Sequence, residues 1–271
     1  KEANGNLLTY SLKSNRLELA DDVLKNTDNI NVSVALSEVL QRYPDGASKG
    51  EHISNLIKTH TLSHDDKDAI EKYLSSSGDS IDTKSIVIET AVANGIDVSL
   101  EFVVRNVLPT AGAEKTLSIL HAYCSKKLCD DDVLCILNYA CSCKDAKVAV
   151  GAMDCLKHSN QYVFVLSKVV IAMLSEQGLS APDKLTILDK IFEFKIDAKS
   201  VEAIVTNYLC FNQDPVFSRK EIIPYLLEKV QVLPTSTVQN YVLRCAIDGD
   251  EKPSIVKAIF DKGLNTSFFN E

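Results

Sequence analysis

Apolar residues recur at helical spacing along most of this chain, and this periodicity constrains its fold more strongly than any other feature. Residues spaced i, i+3, i+4, i+7 and i+8 lie on one face of an α-helix. Three runs show this spacing clearly: Val133 to Cys141, Leu185 to Phe192 and Val201 to Leu209. Strict alternation, which indicates a β-strand, is scarce. The best strand candidate, Ser85 to Ile88, lies inside a longer helical pattern, so the sequence predicts an all-α protein.

The predicted helix starts share one chemical pattern. An apolar residue precedes a side chain that can accept hydrogen bonds from the first free N–H groups of a helix, as in an N-cap with a hydrophobic staple. The clear cases are Leu62-Ser63, Ile81-Asp82, Ile96-Asp97, Leu179-Ser180 and Ile196-Asp197, with looser versions at Leu128 before Asp130 and Leu233 before Thr235. Steps between these junctions lie near multiples of about 17 residues, so two helices make a unit of about 34 residues.

A repeat of about 34 residues is typical of helical hairpins that bury their apolar faces against one another. We therefore expect an α-solenoid of antiparallel helix pairs, with a non-repeating helical bundle as the alternative. The clearest breaks, Tyr43 to Gly46 and Asn212 to Pro215, have the composition of inter-helix turns. We expect one continuous helical-repeat domain over residues 1–271. Because the first residue is Lys1 rather than Met, we also expect a fragment of a longer chain.

Two stretches resemble tetratricopeptide or pentatricopeptide repeats. Residues Leu7 to Leu24 and Val133 to Leu156 each resemble the first helix, turn and second helix of such a repeat, with Ala20 at the small close-packing position. The junctions at Gly95-Ile96-Asp97 and at Gly178 to Asp183 resemble the passage from one pentatricopeptide unit to the next. The resemblance implies helical hairpin repeats that bind a protein or an RNA.

Two features count against RNA as the ligand. The net charge is −8, from 29 Lys and Arg against 37 Asp and Glu, whereas binding to phosphates needs clustered basic residues. Leu134 and Cys135 stand where pentatricopeptide repeats carry polar residues that read bases. The densest basic spots are interleaved with acids, and we interpret them as solvated helix faces: Lys126 and Lys127; Lys144 and Lys147; Lys184, Lys190, Lys195 and Lys199.

These observations favour a non-catalytic scaffold that binds a protein partner through a basic or amphipathic segment. The alternative is a pentatricopeptide-like RNA-binding protein in organellar RNA processing or translation. No apolar run approaches the roughly 20 residues needed to cross a bilayer, so we expect no membrane insertion.

Eight cysteines indicate a reducing environment. They are Cys124, Cys129, Cys135, Cys141, Cys143, Cys155, Cys210 and Cys245. Six of them crowd into a helical pattern, in a chain too long and apolar to need disulfides, so we expect buried thiols. This outweighs the two glycosylation tripeptides, which begin at Asn31 and Asn265. We expect an intracellular location, in the cytoplasm, with the mitochondrion as the alternative.

The residue types that perform catalysis or bind metals form no established motif here. A zinc site could use His121 and Cys124 with Cys141 and Cys143, but core packing explains these residues better. His52, His60 and His64 are interpreted as a solvated hairpin tip, and Cys155 with His158 as a chance pairing. The late aromatic residues are interpreted as core or end packing: Phe211, Phe217, Tyr225, Phe260, Phe268 and Phe269. We therefore predict no catalytic, metal or cofactor residue and assign no binding residue.

Overall fold

All the regular secondary structure in the described part of the chain is helical. The computed structural model describes residues 2–26, 30–60, 64–76, 78–158, 167–194, 196–211, 216–248 and 253–263. These residues form sixteen α-helices and one 3-10 helix, Leu108–Thr110, and contain no β-strand. The all-α prediction is confirmed. None of the described helices is both long and apolar enough to cross a lipid bilayer.

The helices follow one another through short connections. They are α1 (Glu2–Lys13), α2 (Leu17–Leu24), α3 (Val32–Arg42), α4 (Ala47–Thr59), α5 (His64–Ser76), α6 (Ile81–Ala93), α7 (Leu100–Asn106), α8 (Ala113–Cys124), α9 (Asp130–Ser142), α10 (Ala146–His158), α11 (Ser167–Ser175), α12 (Ala181–Phe192), α13 (Ala198–Phe211), α14 (Val216–Lys229), α15 (Thr235–Asp248) and α16 (Pro253–Gly263). Contacts divide the chain into two compact units, 1–135 and 136–271, and the boundary falls inside α9. One continuous domain over 1–271 stays a prediction.

Within each unit, helices pack against near neighbours in the chain. In the first unit α1 contacts α2, and α3 contacts α4. Helices also contact the next but one in the chain: α1 contacts α3, α3 contacts α5, α5 contacts α7, α4 contacts α6, and α6 contacts α8. In the second unit α10, α12, α14 and α16 contact in succession, as do α11, α13 and α15. A helix inside such a series is covered on two sides, so much of its surface is buried.

Helix α6 shows what this packing does to a sequence. It lies against α4 on one side and α8 on the other, and buries Ser85, Val87 and Ile88. Its apolar residues therefore spread around the helix, which explains why Ser85 to Ile88 resembles a strand. Gly50 allows α4 to approach closely, because a Cβ atom there would lie 3.0 Å from Ile86 Cδ1.

The predicted helix starts are right in some places and wrong in others. Ser180 Oγ accepts from the N–H of Asp183 at 3.3 Å at the start of α12, as predicted. Asp197 likewise accepts from the N–H of Ser200 at 2.9 Å before α13. Position 63 lies outside the described residues.

Asp82 and Asp97 are not N-caps. Ser80 caps α6 and Ser99 caps α7 through their hydroxyl groups. The serine hydroxyls occupy the capping positions, and the two aspartates instead pair with lysines of neighbouring segments. Lys115 lies 3.1 Å from Asp82, and Lys67 lies 3.4 Å from Asp97.

A buried ion pair joins α4 to the segment that precedes α6. Lys49 is 2% exposed, and its Nζ lies 2.5 Å from Asp79 Oδ2. Tyr73 Oη donates to the same oxygen at 2.7 Å, and the ammonium lies 5.0 Å from the centre of its ring. The charge is therefore neutralised and hydrogen-bonded, as a buried charge must be.

Two further polar contacts join neighbouring helices of the first unit. Asp45, in the turn before α4, accepts from the N–H of Ser80 at 2.9 Å and from Thr83 Oγ1 at 2.6 Å. Ser54 Oγ and Thr90 Oγ1 form a buried hydrogen bond of 2.8 Å between α4 and α6. Such bonds fix the register of adjacent helices, since an unpaired buried polar group is costly.

Candidate functional site

A groove of about 510 Å³ lies in the first unit where two inter-helix turns adjoin. We call it the α6–α9 groove. The segment from Gly95 to Leu100 lines one side, and the segment from Lys126 to Cys129 lines the other, with Val92, Tyr123 and Asp132 completing it.

The turn after α6 follows from its sequence. Gly95 has φ of 81°, in the left-handed region that favours glycine. The N–H of Ile96 donates to Ala91 O at 3.0 Å, and the N–H of Gly95 donates to Val92 O at 3.2 Å. These two bonds define a Schellman motif, which ends the helix and sends the chain into the groove wall.

The floor of the groove is apolar and firmly held. Val92, Val98, Leu100 and Leu128 are all buried. The ring of Tyr123 is also buried, and its hydroxyl donates to Val98 O at 3.0 Å. This bond ties α8 to the α6–α7 turn, so the floor exists before any ligand arrives.

Two carboxylates line this groove, and a third lies beside its wall. Asp97 stands on the α6–α7 turn, with 94% of its side chain exposed. Asp132 comes from α9, where its Oδ2 accepts from the N–H of Cys129 at 3.2 Å. Glu71 of α5 accepts from the N–H of Ser99 at 3.1 Å.

The pKa of the Tyr123 hydroxyl lies above its usual value, because the group is buried and has carboxylates near it. Burial raises its pKa most, and the charges of Asp132, Asp97 and Glu71 raise it further. On the Lys126 side burial lowers the pKa of the ammonium, and Asp97 opposes that shift. The groove thus combines an apolar floor, an acidic rim and the two lysines Lys126 and Lys127.

The sequence predicted the two helix junctions that line this groove, but not that they lie next to each other. Gly95, Asp97 and Leu128 stand out in the sequence as helix-junction signals, although Ser99 rather than Asp97 caps α7. That the two junctions adjoin depends on the contact between α6 and α8, which a single sequence does not display.

A second cavity, of about 560 Å³, lies between the starts of α1 and α3. Its lining has one charged side chain, Glu2, together with apolar and amide groups such as Ile30, Val34 and Asn6. It offers fewer groups that could select a ligand than the α6–α9 groove does.

The cysteines differ in exposure more than predicted. None of the described cysteines forms a disulfide, and Cys124, Cys141 and Cys155 are buried as expected. Cys129, however, is exposed, because it directly precedes the first turn of α9; its thiol lies 3.1 Å from Asp132 Oδ2. The side chain of Cys245 lies outside the described residues.

The candidate zinc ligands do not form a site in the described residues. His121 and Cys124 share α8, whereas Cys141 and Cys143 belong to the second unit. Within the described part, no three or more His, Cys, Asp or Glu side chains are grouped so that they could hold a metal ion. Cys155 donates to Gly151 O at 3.1 Å, and the side chain of His158 lies outside the description.

The interpretation of His52 as part of a solvated hairpin tip is wrong. Residues Ala47–Thr59 form one helix, so His52 lies in its middle and reaches α2, with Nε2 at 3.0 Å from Asp21 Oδ1. His60 follows the helix, with Nδ1 2.7 Å from Thr59 Oγ1; the side chain of His64 is outside the described residues.

Asp21, Tyr43 and His52 form a compact polar cluster. Tyr43 Oη donates to Asp21 Oδ1 at 2.6 Å, and the Tyr43 and His52 rings meet edge to face, with centroids 5.0 Å apart. Burial and the bond to Asp21 raise the pKa of Tyr43 to about 12. Burial raises the pKa of Asp21, but the hydrogen bonds from Tyr43 and His52 outweigh it and hold that pKa below its usual value.

Lys184 contradicts the interpretation of the basic spots as solvated faces. It is 1% exposed, and its Nζ donates to Leu174 O at 2.7 Å, because α12 packs against the end of α11. Lys127, Lys144, Lys147 and Lys199 are exposed. Lys195 lies outside the described residues.

The aromatic residues follow the packing prediction only in part. Phe211, at the end of α13, is 71% exposed and is not a core residue. Tyr225 and Phe260 are half-buried. The side chain of Phe217 and residues Phe268 and Phe269 lie outside the description.

Comparisons with protein-family models, with curated proteins and with solved structures gave no match. The assignment of a function therefore rests on the residues and their geometry.

Proposed function

We propose that this chain is a non-catalytic protein-interaction scaffold, built from antiparallel helix pairs of the solenoid type. Next-but-one packing is what stacked pairs require. Helices α4, α6 and α8 begin 34 and 32 residues apart, and helices α10, α12 and α14 begin 35 and 35 residues apart. These spacings support repeats of about 34 residues like those of tetratricopeptide and pentatricopeptide proteins.

The α6–α9 groove is the proposed binding site, and its ligand is a basic, amphipathic segment of a partner protein. The observation that carries this proposal is a buried apolar floor lined by the carboxylates of Asp97 and Asp132, with Glu71 bonded to the N–H of Ser99 beside them. Apolar side chains of the segment would cover Val98 and Leu128, while its cations approach the acidic rim. The electrostatic part sets selectivity and encounter rate more than affinity.

Fluorescence anisotropy with a labelled peptide tests this proposal. The probe carries Leu and Lys at helical spacing, and its matched control carries Gln in place of Lys. We expect the Asp97→Asn/Asp132→Asn variant to bind the probe about fivefold more weakly, because it loses two rim charges while keeping the hydrogen bond at Cys129. Glu51→Gln removes an exposed charge of α4, outside the groove, and should change affinity less than about twofold.

Two results would reject the groove as the site. One is equal loss from the groove variant and from Glu51→Gln, which would mean that only the bulk charge attracts the probe. The other is equal binding of the Lys and Gln peptides. Circular dichroism of each variant checks that the helices are intact.

RNA binding is the second candidate, favoured by the position of Lys126 and Lys127 side by side at the groove. Filter binding of random RNA across a salt series separates the two functions. Salt-sensitive binding that falls in a Lys126→Met/Lys127→Met variant supports RNA, since each neutralised phosphate adds to the salt slope. No binding at low salt excludes it. Lys58→Met, an exposed lysine of α4, is the control.

The non-catalytic role and a reducing intracellular compartment belong to the same proposal. In the α6–α9 groove the thiol of Cys129 lies 3.1 Å from Asp132 Oδ2, but the described lining contains no histidine that could serve this thiol as a general base. The lack of a disulfide among the described cysteines supports a reducing compartment. We propose the cytoplasm, with the mitochondrion as the alternative.

A further inference from the structure

The ends of three helices in the second unit form a surface rich in aromatic and charged side chains. Near these ends Lys190 Nζ lies 3.2 Å from Asp154 Oδ1, and Lys157 pairs with Glu193. Helix α10 contacts α12, and α12 contacts α14; these ion pairs and the bond from Tyr225 to Asp189 bring their C-terminal ends together. We call this surface the α10–α14 edge.

Two aromatic rings on this edge hold a cation between them. The centroids of the Phe192 and Tyr225 rings lie 6.0 Å apart, and the ring planes are inclined at 54° to each other. Lys229 Nζ lies 5.4 Å from the centre of the Phe192 ring and 4.7 Å from the centre of the Tyr225 ring. A positive charge within about 6 Å of an aromatic face is attracted by it, so the two rings form a cradle for a cation.

The cradle is fixed in position by its surroundings. Tyr225 Oη donates to Asp189 Oδ1 at 2.8 Å, which joins α14 to α12. Burial, the bond to Asp189 and the charges of Asp189 and Glu228 together raise the pKa of Tyr225. The phenol therefore stays neutral and keeps its hydrogen bond across the physiological range.

The electrostatics of this edge favour positive charge. The C-terminal end of a helix carries a partial negative charge, and three such ends adjoin here. Asp154, Asp189, Glu193 and Glu228 add four carboxylates, against the three ammonium groups of Lys157, Lys190 and Lys229, so these side chains carry one more negative than positive charge. A second cation contact repeats the chemistry, with Lys157 Nζ 5.9 Å from the centre of the Phe194 ring.

Lys229 is an internal occupant that a ligand could replace. Its side chain is exposed, and within the described part of the chain no carboxylate lies within 4.0 Å of its ammonium. Its cradle contacts are with the rings, so moving it into solvent breaks no described ion pair. An external cation then meets the same two rings and the same acidic surroundings.

We infer that Phe192 and Tyr225 form a binding site for a basic side chain of a partner protein, an arginine or lysine that displaces Lys229. The acidic edge and the half-buried rings specify a short basic segment as the occupant. This site lies in the second unit and is independent of the α6–α9 groove. It can therefore hold if the groove proposal fails.

The first test compares two single substitutions on α14. The probe is a fluorescein-labelled dodecapeptide that repeats Gly, Ser and Arg, and its neutral counterpart carries citrulline for Arg. Lys229→Met vacates the cradle, and Lys220→Met removes the same charge from the same helix at a position outside it. We expect Lys229→Met to bind the arginine peptide at least about threefold more tightly than Lys220→Met does.

The second test removes one ring from the vacated cradle. Phe192→Leu keeps apolar volume but loses the aromatic face, so Phe192→Leu/Lys229→Met should lose the gain. Tyr225→Phe keeps the ring and should retain binding, which guards against a variant that merely fails to fold. Thermal melting of each variant accompanies the titrations.

The outcomes separate the cradle from general charge attraction. Equal affinities of Lys229→Met and Lys220→Met would overturn the proposal, as would a gain that survives loss of the Phe192 ring. Equal binding of the citrulline peptide would also overturn it, because no cation would then be involved. The probe contains no apolar side chain, and its variants lie outside the α6–α9 groove, so failure of either proposal can be recognised separately.

Discussion

The two units use charged side chains differently. The first unit places carboxylates at the turns between helices, where Asp45 and Asp79 join segments that are distant in sequence. The second unit gathers ion pairs at a partly exposed edge, such as Lys190 with Asp154. Lys184 is an exception, since it is buried in the second unit and bonds a carbonyl oxygen. The comparison teaches that stacked helices can use charge either to fix register or to present a surface.

The largest effect should come from the buried lysine of the first unit. We expect Lys49→Met to lower the free energy of unfolding by about 3 kcal/mol, because it leaves Asp79 partly buried without its cation. Urea unfolding monitored by circular dichroism measures this. Lys58→Met, an exposed lysine of the same helix, should cost less than about 0.5 kcal/mol.

A compensating substitution sharpens that result. Lys49→Met/Asp79→Asn removes both charges, so it should recover part of the loss. If Lys49→Met proves as mild as Lys58→Met, the charged groups do not fix helix register in the first unit, and the contrast with the second unit disappears.

An intermediate effect is expected at Asp45. Hydrogen bonds from Thr83 and Ser80 lower its pKa, against a smaller opposing effect of burial. A pKa lowered by folding means that the carboxylate stabilises the protein above the unfolded value of about 3.9, and that this contribution is lost as the pH falls through the lowered folded value.

Asp45→Asn should therefore cost about 1 kcal/mol at pH 7 and progressively less below about pH 4. Unfolding free energies measured from pH 7 to pH 3 test this, with Asp131→Asn, at an exposed position of α9, as the control. A difference between wild type and Asp45→Asn that stays constant with pH would contradict the assigned hydrogen bonds.

The smallest effect is expected in the second unit. Lys190 keeps 27% of its side chain exposed and pairs with Asp154 and Glu193. We expect Lys190→Met to cost less than about 1 kcal/mol, because solvent screens exposed ion pairs. A loss equal to that of Lys49→Met, measured in the same urea titration, would show that the edge also supports stability.

Periodicity predicted the helices but not the polar contacts between them. The spacing from Val201 to Leu209 suffices to predict α13, since helical apolar faces are local in sequence. The burial of Lys49 was not predicted, because its neighbours Ser48 and Glu51 are polar and its partner Asp79 is 30 residues away. The contact of Asp45 with the Ser80 cap was not predicted either, because the two residues are 35 positions apart in the chain.

The candidate site was predictable only as separate pieces. Gly95 and Leu128 mark helix junctions by local chemistry, but the groove between them depends on packing between helices. The cradle formed by Phe192 and Tyr225 is harder to predict from the sequence, because the two residues are far apart in the chain and neither belongs to a motif.

The bond from Tyr123 to the Val98 carbonyl has a consequence for binding kinetics. A pocket whose wall is already tied in place loses little conformational entropy when a ligand enters. Association at such a site is limited by encounter and orientation rather than by rearrangement of the protein, so ligands of different affinity should differ mainly in how long they stay.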